Sequence, residues 1–288
     1  MISKKQIKSE FEGLLSLKNL VEVYEEVAAM RMQKVRGAVL QSRQFQDGLM
    51  EVFMRVKSAY RKQQIPEKAL HRTNNGRSVA VFVSANAGLY GDIVNKIFDA
   101  FEAFVRKNDP DVVILGKLGV AMMSDRLPNK LYNYFDFSDE GVDQESFVLV
   151  MRYLIQFEKI LVFFGKFKTL LSQEPTILPV SGDTLEDQLS RALGVAGKSD
   201  YLFEPSVYDV AMVFEGEILA SMFEQALHES QLAKFASRML ALDSAVDNIE
   251  KGLVKVKVRE RKMRHRDLNR GQLETISGIS MWKGVMGV

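Results

Sequence analysis

At 288 residues the chain has room for one large domain or two ordinary ones, and 47% hydrophobic with 26% charged residues is ordinary for a globular protein. The net charge of +2 singles out no acidic partner, and the lack of cysteine excludes a disulfide framework and thiolate chemistry. No apolar run approaches the roughly 18 residues that span a bilayer, and the charged start MISKKQIKSEFEGLL has no signal-peptide core. The expectation is a chain that meets a membrane only through partners.

All six prolines lie between Pro66 and Pro205. Proline costs about 3 kcal/mol inside a helix, so two very long helices are permitted at the ends. The first segment, 1–65, places Ile7, Phe11, Leu14, Val21, Ala28, Met32, Val35, Val39, Leu49, Phe53 and Val56 at alternating steps of three and four. This is a heptad-like seam, broken at Lys18, Glu25, Ser42 and Gln46. Gly13, Gly37 and Gly48 each weaken such a helix by about 1 kcal/mol relative to alanine, so it needs a packing partner.

The segment 75–200 reads as α/β. Asn74, Asn75 and Gly76 mark its entry. The runs 77–84 (RSVAVFVS), 111–115 (DVVIL), 159–167 (KILVFFGKF) and 176–180 (TILPV) predict strands, and 93–107 and 146–156 predict helices. Alternation of this kind argues for a mostly parallel sheet with helices against it. The polar stretch 181–199 predicts a loop and a short helix.

A strand, a Gly turn and a helix meet at 84–92 (SANAGLYGD), which invites a phosphate-binding reading. The spacing fits neither dinucleotide-binding nor P-loop patterns, no lysine adjoins the turn, and Asp92 at the helix start repels phosphate. A tight strand-to-helix turn is the preferred reading. His71, His228 and His265 lack companions at metal-ligand spacing. The residues therefore imply no catalytic group, no cofactor and no metal.

The segment 207–288 holds the clearest period. Leu232, Phe235, Met239, Leu242, Val246, Ile249, Leu253 and Val256 keep a strict 3-4 spacing. A helix over about 208–276 extends about 100 Å at 1.5 Å per residue. Pairing with the first segment as a left-handed antiparallel coiled coil is the economical way to bury it. The stretch 255–270 (KVKVRERKMRHRDLNR) is dense in Lys and Arg, with one histidine against two acids. A protein contact is preferred to a solvated face, and both to a nucleic-acid arm, because aromatics for base stacking are absent. The end, 276–288 (ISGISMWKGVMGV), is apolar enough to require cover by this chain or by a sleeve in a partner.

These stretches resemble the gamma subunit of F-type ATP synthases. YLFEP at 201–205 is similar to the family's YLYEP. The segment 228–248 (HESQLAKFASRMLALDSAVDN) resembles SEQAARMVAMxxATDN, and Glu274, Ile276, Ser277 and Gly278 resemble the closing EIVSG. Ile7, Lys8 and Ser9 resemble IKS. Val27, Ala28, Ala29, Met32 and Lys34 resemble MVAASKMRKA, the turn at 83–91 resembles SDRGLCGG, and 114–119 resembles IGKKG. The likeness covers essentially the whole chain in order.

The resemblance implies an α/β-class fold, a long antiparallel coiled coil of N- and C-terminal helices with an inserted Rossmann-like α/β domain. It implies a central rotor stalk that couples ion flow through a membrane sector to ATP synthesis or hydrolysis in a ring of alpha and beta subunits. Such a chain is non-catalytic by itself, carries no cofactor and binds no nucleic acid. Its partners are the ring, the epsilon subunit and the ring of c subunits. Its place is peripheral, on the cytoplasmic face of the inner or plasma membrane. Arg264, Arg270, Ile279, Met281, Trp282 and Val285 are the implied ring contacts, Arg264 aligning with an arginine near the family's catch contact with beta. Three departures suggest a divergent or paralogous rotor. Glu22 stands where a lysine is usual, Ala85, Asn86 and Ala87 stand in the SDRG turn, and Asn269, Arg270 and Gly271 replace TQE. The alternative from another class is a nucleotide-dependent α/β enzyme with helical dimerisation arms, which requires a ligand at 88–91. A coiled-coil nucleic-acid scaffold comes third.

Overall fold

The computed structural model describes residues 4–62, 75–139, 141–181, 204 and 206–285. The two proline-free ends each form one uninterrupted helix: α1 over Lys4–Lys62 and α5 over Val207–Val285. Between them lie β1 (Ser78–Val83), α2 (Ile93–Asn108), β2 (Asp111–Leu115), α3 (Lys117–Arg126), β3 (Asn133–Phe135), α4 (Gln144–Leu154), β4 (Lys159–Thr169) and β5 (Ser172–Pro179). The five strands form one sheet in the order β3-β2-β1-β4-β5. The first four are parallel, with Val81 opposite Val113 and Val162. β5 returns antiparallel beside β4 as a hairpin, with Phe163 opposite Ile177. Pro175 and Pro179 are tolerated there because β5 is an edge strand.

The central strands read as continuous apolar runs because both faces of the sheet are covered. Val79, Val81 and Val83 join Val113, Leu115, Ile160, Val162 and Phe164 in one core with α4 and with Ile218–Leu227 of α5. Ala80 and Phe82 point to the other face, where Phe98, Phe101 and Phe163 form a ring cluster with α2. Two elements exceed the sequence expectation, α3 and β3. α3 buries only Gly119 and Met123, and β3 is three residues long, so neither leaves a periodic trace. The expected loop and short helix at 182–199 lie outside the described residues, as do His71 and most of YLFEP.

The chain packs as two compact units, Met1–Val27 with Leu242–Val288, and Ala28–Ala241. In the first, α1 and α5 run antiparallel. Lys18 Nζ meets Glu250 and Arg259 meets Glu10 at 2.7 Å, so one number rises as the other falls. Leu14 lies against Gly252, and Lys257 Nζ sits over the Phe11 ring. Ile7, Leu242 and Val256 are buried. The polar break at Lys18 is therefore part of the seam, held by an ion pair whose hydrogen bond to Glu250 pushes the lysine above its ordinary value.

In the second unit the same two helices embrace the sheet. Met50 and Phe53 of α1 join Ile218–Leu227 of α5 in one core. Val35 and Val39 join Leu232 and Phe235 in the other. Leu232 and Phe235, expected in a coiled-coil seam, thus pack with the α/β layers as well as with α1.

Candidate functional site

In an open α/β sheet, ligands bind outside the carboxyl ends of the strands, where the strand order reverses. Here that point is the end of β1, between β2 and β4. The crevice is filled by α5. Leu227, Gln231 and Lys234 face Val83, Ser84, Leu115 and Phe137 across a small cavity at the strand ends. Every residue from 229 to 237 is buried, including Glu229, Ser230, Gln231, Lys234 and Ser237. Such circumferential burial is what a helix shows when it lies inside a core.

The turn after β1 closes over this helix. Its amides and carbonyls find partners in two directions. The Oδ2 of Asp139 accepts from Asn86 N and Ala87 N, both at 2.8 Å. These turn amides are the groups a bound phosphate would need, and an internal carboxylate already holds them. Asn86 binds the turn to its neighbours through its side chain. Nδ2 donates to Asp136 and to Phe137 O, and Oδ1 accepts from Lys117 N at 2.8 Å. Leu118 N donates to Ala85 O. Gly116 permits that approach, since a Cβ at its φ of +97° would come within 2.9 Å of the Ala85 backbone. Ala85, Asn86 and Ala87 are thus built into a hydrogen-bonded turn.

The carbonyls of the turn face α5. Lys234 Nζ donates to Ser84 O at 2.8 Å, Ser237 Oγ to Tyr90 O at 2.8 Å, and Arg238 Nη2 to Gly88 O at 2.6 Å. Lys234 Nζ also meets Asp139 Oδ1 at 3.1 Å, with the two side chains 5% and 8% exposed. Burial holds the Lys234 ammonium below the ordinary lysine value, against the pull of Asp139. The Arg238 guanidinium lies 3.9 Å from the centre of the Tyr90 ring. Burial, then the Asp139 charge, pushes the Tyr90 phenol well above its usual value. On its solvent side the constellation borders an open pocket of about 530 Å³ lined by Arg31, Asn86, Ala87 and Tyr90, with Asp136, Asp139 and Asp143 giving it an acidic wall that disfavours a phosphate.

The other sequence-predicted residues lie apart from the turn. Of the heptad set, Leu232, Phe235, Leu242 and Val256 are buried, and Met239, Val246, Ile249 and Leu253 are half-buried. Beyond Arg259 and the half-buried Met263, every side chain from 264 to 277 is exposed, including Arg264 and Arg270. Arg270 donates to Glu274 one turn on, at 3.0 Å. Ile279, Met281, Trp282 and Val285 belong to α5, but their side chains lie outside the described residues. His228 is half-buried and lies 3.7 Å from Glu224, and His265 is exposed. The clasp around Asp139 had no sequence precursor, because Asp139 and Lys234 are 95 residues apart.

These features define a protein of paired long helices bearing an α/β module whose ligand crevice is occupied by its own C-terminal helix. The family model described as ATP synthase matches residues 3–280, and relatives along the whole chain are named ATP synthase gamma chain. The chain belongs to the ATP synthase gamma-chain family. The gamma chain of Geotalea uraniireducens is 23% identical over 99% of this chain and 100% of that relative. That of Laribacter hongkongensis is 24% identical over 96% of this chain and 98% of its own length. The fold is similar to the rotor of the Euglena gracilis mitochondrial ATP synthase, with a TM-score of 0.60 at 14% identity over 91% of this chain and 97% of that chain. It is also similar to the central stalk of the Tetrahymena thermophila enzyme, with a TM-score of 0.58 at 16% identity over 78% of this chain and 99% of that one. No described helix is long and apolar enough to cross a membrane.

Proposed function

We propose that this chain is the central-stalk (rotor) subunit of a rotary F-type ATP synthase, coupling ion flow in a membrane sector to ATP synthesis or hydrolysis in an alpha/beta ring. The observation that carries this reading is the last part of α5. Arg259 pairs with Glu10 near the start of α1, and α5 then continues to Val285. Its side chains from 264 to 277 are exposed, with Leu268, Leu273 and Ile276 at 57%, 64% and 63%. A helix without an apolar bed is marginal by itself, so this stretch calls for a partner that surrounds it. Arg264, Arg270, Ile279, Met281, Trp282 and Val285 are the residues assigned to that ring contact.

The chain does no chemistry of its own in this reading. The α/β module faces the epsilon subunit and the c ring, and membrane attachment runs through the complex on the cytoplasmic face of the inner or plasma membrane. The occupied crevice supports the non-catalytic role and tells against a nucleotide-dependent enzyme.

The test is co-purification and turnover. The tagged chain is expected to carry alpha and beta subunits with it, and the assembly to hydrolyse ATP. The isolated chain is expected to show no turnover and no heat of binding with ATP or NAD. Removing 281–288 is expected to leave assembly intact and slow the assembled ATPase. ATP turnover by the isolated chain would sink this reading.

A further inference from the structure

We propose that the clasp between the turn at 84–92 and α5 is the joint through which torque passes between the α/β module and the C-terminal helix. The proposal rests on the central-stalk reading and assigns the task to Lys234, Ser237 and Arg238, with Asp139 as the anchor.

Most of the buried surface of α5 in its unit is apolar: Ile218, Leu219, Met222, Phe223, Leu232 and Phe235. Apolar burial is non-directional as a driving force, and the interdigitated side chains hold the helix in its bed, but they fix its rotation and height without specific partners. Hydrogen bonds depend on direction and length. The bonds from α5 to the module's main chain concentrate in one place. Residues 234, 237 and 238 are spaced i, i+3 and i+4, which puts them on one face of the helix. All three donate to carbonyls of a single turn, at Ser84, Gly88 and Tyr90.

The turn is in its turn fixed to the sheet layer. Asp139 holds its amides at 86 and 87, Asn86 ties it to Asp136, Phe137 and Lys117, and Ala85 O accepts from Leu118. Asp139 is shared by both sides, one oxygen on the turn and the other on Lys234. Gly91 lets the two surfaces close, because a Cβ there would lie 2.7 Å from Ser237 Oγ. A continuous path of directional bonds thus runs from the strands to α5. These are positioning residues, since none of them touches a reacting group.

The experiment uses the assembled complex in vesicles with an imposed ion gradient. Lys234→Met with Asp139→Asn removes the ion pair and the bond to Ser84 O, while the new amide oxygen still accepts from the turn. ATP hydrolysis is expected to persist and gradient-driven synthesis to fall several-fold, so the ratio of synthesis to hydrolysis drops. A covalent substitute for the clasp then provides the rescue. The ideal Cβ of residue 91 lies 3.7 Å from that of Ala241, within the span a disulfide bridges. This chain has no other cysteine to compete. Gly91→Cys and Ala241→Cys, with Ser237→Ala to clear the new Cβ, are added to the double variant. The ratio is expected to return on oxidation and to be lost again on reduction. An unchanged ratio in the double variant, or a ratio that oxidation fails to restore, overturns the proposal. If the double variant does not assemble, Ser237→Ala with Arg238→Met takes its place, and an unchanged ratio there overturns it equally. Failure of the central-stalk reading looks different: the wild-type chain then enters no complex with nucleotide-binding subunits, which overturns both.

Discussion

Arg43 of α1 grips Glu229 of α5 through both Nε and Nη2, at 3.1 and 3.0 Å, and the carboxylate it meets is 4% exposed. Gln225 Nε2 adds a third bond to the same oxygen at 3.1 Å. The arginine itself is 41% exposed, so the pair sits at the edge of the core. Arg43→Met is expected to destabilise the chain by about 2–3 kcal/mol, below the range for fully buried pairs, because it strands a desolvated charge. Adding Glu229→Gln is expected to recover part of the loss. Urea unfolding midpoints of the single and double variants provide the check.

The seam has its own contrast. Leu242 is 5% exposed, whereas Leu268, on the same helix, is 57% exposed. Leu242→Asp is expected to cost several kcal/mol, since a buried carboxylate lacks a partner there. Leu268→Asp is expected to stay within about 0.5 kcal/mol. Thermal melts followed by circular dichroism separate the two. Equal effects at both positions would contradict the burial pattern.

Gly91 combines a φ of +58° with a position where an added Cβ would lie 2.7 Å from Ser237 Oγ of α5. Gly91→Ala is expected to cost about 1–3 kcal/mol from strained backbone and the contact with Ser237 Oγ. Gly88, whose Cβ meets open space, is the control, and Gly88→Ala is expected to be nearly silent. Denaturant midpoints of the two variants test this directly.

Asp143 caps α4, accepting from Ser146 N at 2.9 Å. That bond holds its carboxyl below the ordinary carboxylate value. A lowered folded value means the contribution is complete above the unfolded carboxylate range and disappears as pH falls through the folded one. Asp143→Asn keeps an acceptor and is expected to lose this part of the acid dependence. Asp143→Ala is expected to be less stable already at neutral pH. Urea midpoints measured from neutral pH into acid distinguish the three chains.

How much of this was legible depended on whether burial was one-sided. β1, β2 and β4 were plain because strands covered on both faces must be apolar throughout. The two long helices were plain from the absent prolines and from stripes such as Leu242, Val246, Ile249 and Val256. The breaks at Lys18, Glu25, Ser42 and Gln46 proved to be half-buried members of the same stripe, with Lys18 satisfied by Glu250. Period fails between 229 and 237, where α5 is enclosed all round and Ser, Gln, Lys and Glu are buried beside Leu and Phe. A heptad reading sees only Leu232 and Phe235 there. The polar residues carry the clasp, and their partners at 84–90 and 139 are fixed by the fold rather than by spacing. α3 and β3 stayed hidden because they bury too little to leave a pattern.

The carboxylate of Asp139 on the amides of Asn86 and Ala87 also sets how the module responds to its surroundings. A ligand tethered to its own site acts at an effective concentration that short linkers raise to the millimolar range or above. A free phosphate group must first displace it from Asn86 N and Ala87 N. The stiffness of this junction is therefore expected to be indifferent to the cell's nucleotide pool, so that a swing in ATP concentration changes how fast a motor turns without changing how firmly its parts are joined.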